Sequence, residues 1–549
     1  MLFAPRELPP LGPDVAQDPR RYSEWVRRRE AERPRQANSP DGPHLSLLMV
    51  LAGAPRARTA ATLRGLRAQL TDRWSLTIVA SEPELGRLRR LMATSVARRT
   101  RRRMRVVVGP PDAPANALLQ IGLADVRDSA AALIFPGDVW APDAVALLAP
   151  ALRPAGVAYA DEDRVTPDGH HVDPRLKPQF SPDFLASSAY VGRPIAFGSV
   201  LTSDVPELSS TDAQAVEQEF AEWVCHQAAE IVHVPEVLCH RTDESAPTLI
   251  SQTATTGPTT SAEQGHAPVS IVIPFRDQPR YLRTCLDSVQ ATSGEDLEFV
   301  LVDNGSCEPE TMTLLARVGA LPAVKIIADS GPFNWARLSN AGARLASGKV
   351  LLFLNNDIEA FRQGWISTLV AHLLREDIGV VGARLLYPDR RVQHCGIVVG
   401  LNGAAGHPLV GLPESDSGYL GMARLRRECS AVTGACLATR REVFDQLGGF
   451  DESLGFDLND VDFCLRSGAA GYRVLYAPEA ELIHHESPSR GTAGATGDIV
   501  RFVDRWAEYI SSGDPHLNPH LTRADSSCAL ADPDEKERWN QWFSELASR

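Results

Sequence analysis

Three consecutive polar residues, Asn355, Asn356 and Asp357, directly follow an apolar run from Val350 to Leu354. The run predicts a buried strand of a parallel sheet, so the polar turn would lie at the strand's carboxyl end, where open α/β sheets bind ligands. One carboxylate beside two carboxamides suits a hard cation such as Mg²⁺ that is shared with phosphate oxygens. The same residues are also typical of a purely structural turn, because Asn and Asp tolerate unusual backbone angles.

Further acidic and imidazole side chains follow strands or begin helices elsewhere in the second half of the chain: Asp303, Asp457, Asp460, Asp462, His484 and His485. Asp303 ends another apolar run, from which its carboxylate could accept hydrogen bonds from a base or a ribose. A metal turn, a nucleoside-facing carboxylate, a free carboxylate and a late histidine are the groups needed to move a sugar off a nucleoside diphosphate. The metal neutralises the departing diphosphate, and a carboxylate takes the proton from the attacking hydroxyl.

Each of these side chains also has a structural interpretation. Asp460 and Asp462 lie near a predicted helix start, where the helix dipole favours negative charge. His484 and His485 could be ordinary histidines whose hydrogen bonds are satisfied internally. Trp335 and His394 fit either a core or an acceptor cleft, and the sequence does not separate the two.

The elements that would position these residues occur twice along the chain. The strand, helix, strand and later strand that begin at Val269 repeat the order that begins at Leu45, and repeats are sought before other patterns. Asp303 matches Ala80 at an offset of 223, and Asp357 matches Asp138 at an offset of 219. This alignment also places Pro136 opposite Asn355.

Composition narrows the class of protein. With 549 residues the chain expects two to four domains, and its 44% hydrophobic and 23% charged residues are those of a soluble globular protein. The net charge of −13 argues against general nucleic-acid binding. The nine cysteines show no metal-like spacing, the N-terminus lacks the apolar core of a signal peptide, and no apolar run is long enough to span a membrane. We therefore expect a cytoplasmic protein.

Domain boundaries follow from shifts in composition. We predict an N-terminal arm (1–43), a first α/β domain (44–240), a linker rich in Thr, Ser and Pro (241–267), a second α/β domain (268–495) and a helical C-terminal extension (496–549). The basic run 98–105 is interpreted as a solvated helix end, with docking on anionic lipid as the alternative. In the extension, the apolar face formed by Trp539, Trp542 and Phe543 favours core packing over a contact with a membrane or partner.

Seven segments of the second domain appear in the order known from one enzyme family: VSIVIPFRDQPRYLRTCLDSV, VLVDNGS, FNWARLSNAGARLASGKVLLFLNND, VQHCGIVVGLNGAAGH, SAVTGACLATRREVFDQLGGFDE, NDVDFCLR and IHHESPSRG. From Val269 to about Gly491 the chain closely resembles the family 2 glycosyltransferases. These are inverting enzymes of the GT-A fold, and the resemblance is greatest to rhamnosyltransferase-like members that build O-antigen and related surface polysaccharides. Residues 45–240 resemble the degenerate first half that tandem members carry. The implied fold is two Rossmann-like, mostly parallel α/β domains in tandem.

The resemblance implies a role for each matching residue. Those of the donor nucleotide site are Pro274, Phe275, Asp303, Asn304, Asn340 and Asn356. Those of the metal site, for Mg²⁺ or Mn²⁺, are Asn355, Asp357 and His484. Asp460 is the implied catalytic base, with Asp462 as the runner-up. Thr433, Gly434 and Trp335 are assigned to the acceptor and diphosphate region.

The sequence departs from the family pattern at two positions. The family more often has an acidic residue where Asn355 stands, and it has Glu where Asn459 stands. Asp357 is therefore the only carboxylate of the metal turn. In the first domain Ala80 occupies the nucleotide position, although the acidic cluster of Asp161, Glu162 and Asp163 leaves a second active site open.

We expect hexosyl or rhamnosyl transfer from a nucleoside-diphosphate sugar to a glycan or lipid-linked glycan, with contact at the inner membrane surface and without nucleic acid. Two alternatives remain open: a non-catalytic scaffold of two degenerate transferase domains that binds glycan or nucleotide, and a bifunctional polymerase with two active sites. A nucleotidyltransferase would need a basic, glycine-rich phosphate loop after the first strand, and IPFRDQPRY does not supply one.

Overall fold

The computed structural model describes residues 18–33, 42–95, 98–203, 205–242, 267–293, 297–486, 495–532, 534–535, 537–539 and 541. These residues form two compact units. The first unit holds 18–180 and 188–242, and the second unit holds 181–187 and the described residues from 267 onward. The predicted linker (241–267) lies almost entirely outside the described residues, as do Trp542 and Phe543. Residues 181–187 were predicted to belong to the first domain, but their contacts group them with the second unit.

The elements up to residue 242, in chain order, are α1 (Pro19–Glu32), β1 (Leu45–Val50), α2 (Arg56–Arg67), β2 (Trp74–Ser81), α3 (Leu85–Ser95), α4 (Arg98–Arg101), β3 (Met104–Gly109), α5 (Ala115–Asp125), β4 (Ala131–Leu133), β5 (Asp138–Trp140), α6 (Ala144–Ala151), β6 (Gly156–Val165), β7 (His171–Arg175), α7 (Pro182–Ser187), β8 (Ile195–Phe197), α8 (Ala213–Gln227) and β9 (Glu230–Arg241). Helix α7 belongs to the second unit. Helix α1 buries Tyr22 and Val26, so this part of the predicted arm is packed against the first unit.

The later elements are β10 (Val269–Phe275), α9 (Pro279–Thr292), β11 (Leu297–Asp303), α10 (Pro309–Val318), β12 (Val324–Ala328), α11 (Trp335–Leu345), β13 (Val350–Leu354), β14 (Ile358–Ala360), α12 (Trp365–Leu373), β15 (Ile378–Leu386), β16 (Val392–His394), β17 (Val398–Val399), β18 (Ala405–Gly406), β19 (Arg427–Glu428), β20 (Cys436–Arg440), α13 (Arg441–Gln446), α14 (Asn459–Ala469), β21 (Arg473–His484) and α15 (Ala495–Ser512). Helix α15 lies in the predicted helical C-terminal extension. Among the described residues, no helix combines the length and the apolar character that crossing a membrane requires.

The two units share one strand order, which confirms the predicted repeat. The first sheet runs β3-β2-β1-β4-β8-β6-β9-β5, with β7 paired to β6. The second runs β12-β11-β10-β13-β20-β15-β21-β14, with β16 paired to β15. Every strand of the first sheet thus has a counterpart at the same place in the second.

The predicted buried strand from Val350 to Leu354 is β13, and all five of its residues are buried. It pairs parallel with β10 on one side and antiparallel with β20 on the other. Parallel pairing therefore extends from β12 to β13, and the sheet becomes mixed beyond this point. The core of the second unit forms where apolar side chains of these strands meet those of α9 and α12.

Strand register corrects the predicted match between the two polar turns. In the second unit the N–H of His485 donates to the carbonyl of Asp357 at 3.0 Å, and in the first the N–H of Thr242 donates to the carbonyl of Gly137 at 3.0 Å. The residue that corresponds to Asp357 is therefore Gly137 rather than Asp138. An alignment that matches the two Asp residues misses this shift. The register is set by pairing of β5 with β9 in the first sheet and of β14 with β21 in the second.

The same register shift applies along the turn. The N–H of Asp138 donates to the carbonyl of Phe135 at 2.9 Å, as the N–H of Ile358 donates to that of Asn355 at 3.3 Å. Phe135, and not the predicted Pro136, therefore stands where the second unit has Asn355. The turn of the first unit thus lacks both the amide and the carboxylate of the second.

Candidate active site

A cavity of about 960 Å³ opens in the second unit where β10 and β13 reach their carboxyl ends. Ten of the residues assigned from the sequence line it: Pro274, Phe275, Asn304, Trp335, Asn355, Asn356, Asp357, Thr433, Asp460 and His484. They come from segments that are up to 210 residues apart in the chain. The fold therefore gathers most of the predicted site on one surface.

The predicted metal turn meets the late histidine inside this cavity. Oδ1 of Asp357 lies 3.1 Å from Nε2 of His484, and Nδ2 of Asn355 lies 3.4 Å from the same nitrogen. Strand pairing fixes this contact, because His484 pairs with Ile358, the residue after the turn. Asp357 and Asn355 are 6% and 7% exposed, so their polar groups face the cavity from a largely dehydrated position.

A glutamine orients the imidazole of His484. Nδ1 of His484 lies 2.6 Å from Oε1 of Gln393, and because that oxygen can only accept, Nδ1 carries the proton of this bond. A neutral ring would then offer the lone pair of Nε2 towards Asp357. A carboxylate oxygen and an imidazole lone pair at this separation form a donor set that fits a divalent cation, and an outer hydrogen bond of this kind is typical of metal-binding histidines.

Trp335 positions the amide of Asn355. Its indole Nε1–H donates to Oδ1 of Asn355 at 3.3 Å, and its ring packs edge-on against Phe450. The Trp335 side chain is only 5% exposed, although it lines the cavity. It is therefore both a core residue and a wall of the site, two alternatives that the sequence could not separate.

Asp460 reaches the cavity from the first turn of α14. Its Oδ2 accepts the N–H of Gly434 at 2.6 Å, and its Oδ1 accepts the N–H of Val461 at 2.8 Å. These two bonds fix the orientation of the carboxylate at the wall of the cavity. Gly434 itself is not a lining residue, but its neighbour Thr433 is.

Asp462, the predicted runner-up, has a different environment. It is fully buried, and its oxygens bind Arg466 at 2.8 Å and Arg505 at 2.7 Å. Trp506 also donates to it at 3.1 Å. Asp462 does not line the cavity. Its geometry is that of a structural ion pair, which favours Asp460 as the base.

Asp303 ends β11 as predicted, but its side chain does not line the cavity. Its Oδ1 accepts the N–H of Ser306 at 2.8 Å and so shapes the turn that follows the strand. Asn304, the next residue, does line the cavity, and its amide donates to the carbonyl of Asp329 at 2.7 Å. The direct contact between Asp303 and a nucleotide remains a prediction.

Asn340 serves the loop that precedes α14 and does not line the cavity. Its Nδ2 donates to the carbonyl of Phe450 at 2.9 Å and to Oε1 of Glu452 at 3.1 Å. Its Oδ1 accepts the N–H of Phe450 at 2.9 Å. Both ends of the amide are thus bonded within the protein and support this loop, and the nucleotide contact expected of Asn340 remains a prediction.

The loop after β10 contributes residues that the sequence analysis did not single out. Asp277 and Gln278 have φ angles of 51° and 60°, which are uncommon for residues other than glycine. Oδ1 of Asp277 accepts the N–H groups of Cys307 at 2.7 Å and Glu308 at 2.8 Å. This carboxylate therefore connects the loop after β10 to the loop after β11. The left-handed backbone of Asp277 and Gln278 could not be predicted from the sequence alone.

Two histidines, the buried His394 and the half-buried His407, complete the wall behind His484. Nδ1 of His394 and Nδ1 of His407 lie 2.8 Å apart, so one donates to the other and at least one ring is neutral. Burial lowers the pKa of His407 to about 4, and burial together with His407 lowers the pKa of His394 well below its ordinary value. Both rings are therefore neutral near pH 7. No pattern in the sequence pairs these two residues.

The cavity is acidic. Among the residues that the structure describes, its lining includes six carboxylates, from Asp277, Glu308, Asp357, Asp457, Asp460 and Glu486, and one arginine, Arg276. These carboxylates would repel an anionic ligand, and a divalent cation beside Asp357 would reduce that repulsion.

Comparisons with known proteins show which families and relatives the chain resembles. Residues 270–448 match the family model described as "Glycosyl transferase family 2", and residues 416–527 match one described as "Glycosyl transferase family group 2". The O-antigen biosynthesis protein RfbC of Myxococcus xanthus is 32% identical over 576 residues, covering 96% of this chain and 44% of that protein. The uncharacterized protein y4gI of Sinorhizobium fredii is 30% identical over 94% of this chain and 60% of its own length. The chain thus spans about half the length of these curated relatives.

Among solved structures, the mannosyltransferase PcManGT from Pyrobaculum calidifontis, in complex with GDP-Man and Mn²⁺, matches with a TM-score of 0.36 and 16% identity. The match covers 52% of this chain and 76% of that one. This likeness is too low to support an argument about function.

The second unit is a mixed α/β sheet of the GT-A type with an acidic cavity at its carboxyl edge. Residues 270–448 carry the sequence pattern of glycosyl transferase family 2.

Proposed function

We propose that the second unit transfers a hexosyl or rhamnosyl group from a nucleoside-diphosphate sugar to a hydroxyl of a glycan or lipid-linked glycan. The observation that carries this proposal is the meeting of Asp357, His484 and Asp460 on one cavity, with the first two only 3.1 Å apart. The similarity to RfbC, an O-antigen biosynthesis protein, supports a role in bacterial surface polysaccharide synthesis. The reaction would take place at the cytoplasmic face of the membrane.

The residues of the cavity divide the work of the reaction. Asp460 accepts the proton of the attacking hydroxyl, and its bond from the Gly434 N–H holds the carboxylate in place. Asn304 and the loop after β10 would contact the nucleoside. Attack on the face opposite the leaving group inverts the sugar carbon in a single displacement. Mg²⁺ or Mn²⁺ held by Asp357, His484 and Asn355 would neutralise the departing diphosphate.

The first unit supports only a non-catalytic role in this scheme. Gly137 stands where the second unit has Asp357, and Ala80 stands where it has Asp303. The acidic cluster of β6 is fully buried, with Asp161 bound to the N–H of Lys177 at 2.8 Å. These contacts weigh against the bifunctional alternative. The scaffold alternative would require the second cavity to be inactive as well.

The test is release of nucleoside diphosphate by the purified protein. Donors should be UDP-, GDP- and dTDP-sugars, each assayed with Mg²⁺, with Mn²⁺ and with chelator. Metal-dependent release from one donor, lost in Asp460→Asn, would support the proposal and identify the donor.

Nucleotide binding measured by calorimetry makes a negative result informative. Absence of both release and metal-assisted binding would refute the transferase and favour the scaffold. Binding without release, followed by turnover once a glycan acceptor is added, would support transfer.

A further inference from the structure

Three strands of the first unit bring two histidines and an aspartate together, far along the chain from the catalytic turn. Oδ2 of Asp163 on β6 lies 2.8 Å from Nδ1 of His171 on β7, and Oδ1 of Asp163 lies 2.6 Å from Nδ1 of His240 on β9. One ligand atom from each residue falls within 4.8 Å of the others. We call this group the Asp–His–His cluster. Of the residues that the structure describes, these alone form a group of three or more with metal-ligand spacing.

The fold itself does not require a polar cluster at this place. Asp163 pairs with His240 in the first sheet, and the corresponding pair in the second sheet is Leu386 with Ile483. The second unit thus builds the same strand junction from apolar side chains. Burying an ionic group instead brings no general gain in stability, so the cluster calls for a function of its own.

The ligand atoms and their surroundings suit zinc. Imidazole nitrogen and carboxylate oxygen are common Zn²⁺ ligands, and two histidines with one carboxylate leave a further position for water. Nε2 of His240, the ring nitrogen that faces away from Asp163, lies 3.3 Å from Oε1 of Glu30. A carboxylate on the outer nitrogen of a histidine is the arrangement that orients metal ligands. The hydroxyl of Tyr22 donates to Asp163 at 3.2 Å and adds a second outer contact.

An ion could enter and be held with small movements. The side chain of His171 is 18% exposed, whereas that of Asp163 is fully buried, so the cluster is open at one end. Ligand atoms around a tetrahedral Zn²⁺ lie about 3.3 Å apart, since each is about 2.0–2.1 Å from the metal. The contacts of Asp163 with His171 and His240 would therefore widen by about 0.5 and about 0.7 Å. Rotation of the partly exposed His171 can supply the first of these movements.

Helix α1 covers the outer face of the Asp–His–His cluster. Tyr22 and Glu30 contact Asp163 and His240, and Oγ of Ser23 accepts the N–H of His171 at 2.8 Å. We propose that the Asp–His–His cluster binds one Zn²⁺ in the first unit, and that this ion fixes α1 to strands β6, β7 and β9. The zinc would be structural and separate from any metal used in catalysis.

The test uses the full chain with Asp357→Ala, so that the catalytic turn does not contribute a metal. The protein is stripped with chelator, reloaded with Zn²⁺, freed of excess ion and analysed for zinc per chain. We expect about one Zn²⁺ per chain, a raised unfolding temperature on reloading, and a visible absorption band typical of four-coordinate Co²⁺ when cobalt replaces zinc.

His171→Gln in the same background should lose the bound ion and the shift in unfolding temperature. The matched control is His170→Gln, because His170 is the neighbouring residue and is more exposed. It should retain both. If His171→Gln fails to fold, the zinc content and the cobalt spectrum of the parent protein still decide the question.

Two results would overturn the proposal. In the first, the parent protein retains no zinc and shows only the spectrum of hydrated Co²⁺. The three residues would then be joined by hydrogen bonds alone, without a metal ion. The other is equal zinc content in His171→Gln and His170→Gln, which would place the ion elsewhere.

Discussion

The N–H of Gly434 and the carboxylate of Asp460 are joined by a hydrogen bond of 2.6 Å. This bond links the turn before β20 to the first turn of α14, so the proposed base is held by two elements at once. The position of Gly434 also leaves no room for a side chain. A Cβ there would lie 2.9 Å from the ring of Trp335 and 3.4 Å from Cβ of Asp460.

Asp460→Asn and Asp462→Asn should separate catalysis from stability. Loss of a general base costs about 10²–10⁴-fold in rate, so Asp460→Asn should lower the rate of transfer by at least about 100-fold with little change in unfolding temperature. Asp462→Asn should instead lower the free energy of unfolding by about 2 kcal/mol, because it leaves two partly exposed arginines without their buried partner. Steady-state rates and thermal unfolding of both variants check this. The opposite pattern would make Asp462 the base.

Gly434→Ala should impair both the fold and the site. Forcing a methyl group into a packed region typically costs about 1–3 kcal/mol, and here it would push Trp335 or Asp460 out of place. Gly468→Ala is the matched control, because nothing lies within 4 Å of a Cβ in that position of α14. It should leave activity unchanged and add about 0.5–1 kcal/mol through helix propensity. Equal activity of the two variants would show that Gly434 tolerates a side chain.

Asp357→Ala should remove the dependence of nucleotide binding on divalent metal. The turn loses the carboxylate that faces His484, and the acidic cavity then repels the diphosphate without compensation. Calorimetric titration with nucleoside diphosphate, with and without Mn²⁺, measures the effect. Asp445→Ala, at an exposed residue of α13, is the control and should bind as the parent does. Unchanged metal-assisted binding in Asp357→Ala would place the ion elsewhere.

Asp357→Ala combined with Asp460→Asn should leave less than about 1% of donor turnover, following the size of general-base effects. The reason is that the first unit has Gly137 where the second has Asp357, and Ala80 where the second has Asp303. Product analysis after long incubation checks for a second activity. Transfer to acceptor that persists well above this level would demonstrate a catalytic first unit.

His407 should make the protein less stable in mild acid. Its pKa is lowered to about 4 by burial, whereas an unfolded histidine titrates near 6.5, so the unfolded state binds more protons between these values. The contribution of His407 to the free energy of unfolding is fully present above about pH 6.5 and is lost as pH falls towards 4. The loss amounts to about 2 kcal/mol between pH 6.5 and 5.

Thermal unfolding from pH 7 to 5 tests this expectation. His407→Gln should flatten the pH dependence, because glutamine does not titrate. His226→Gln, at an exposed histidine, should keep the slope of the parent. Equal slopes for the two variants would contradict a buried, neutral His407.

Local pattern was enough to predict strand β13 and the turn that follows it. Val350 to Leu354 form a continuous apolar run, and their burial follows directly from composition. The repeat was equally visible, because apolar runs and turns recur in order. Asp460 was assigned through a family motif, and the structure places it on the predicted cavity.

Contacts between distant segments of the chain determine the features that local sequence pattern does not predict. The correspondence of Gly137 with Asp357 depends on hydrogen bonds to strands more than 100 residues away in the chain. Asn340 was assigned to the nucleotide, yet its amide is occupied by Phe450 and Glu452. The contact of His394, the last residue of β16, with His407, the residue after β18, joins two segments that no periodic pattern connects.

The nine cysteines of the chain are all free thiols, and eight of them are buried. Cys307 alone is exposed, and it lies in the loop that Asp277 holds at the rim of the cavity. The natural chain therefore carries a single addressable position for a maleimide dye, next to the proposed nucleotide contacts. Occupancy of the donor site can be followed by fluorescence in the unaltered protein, with no cysteine added or removed.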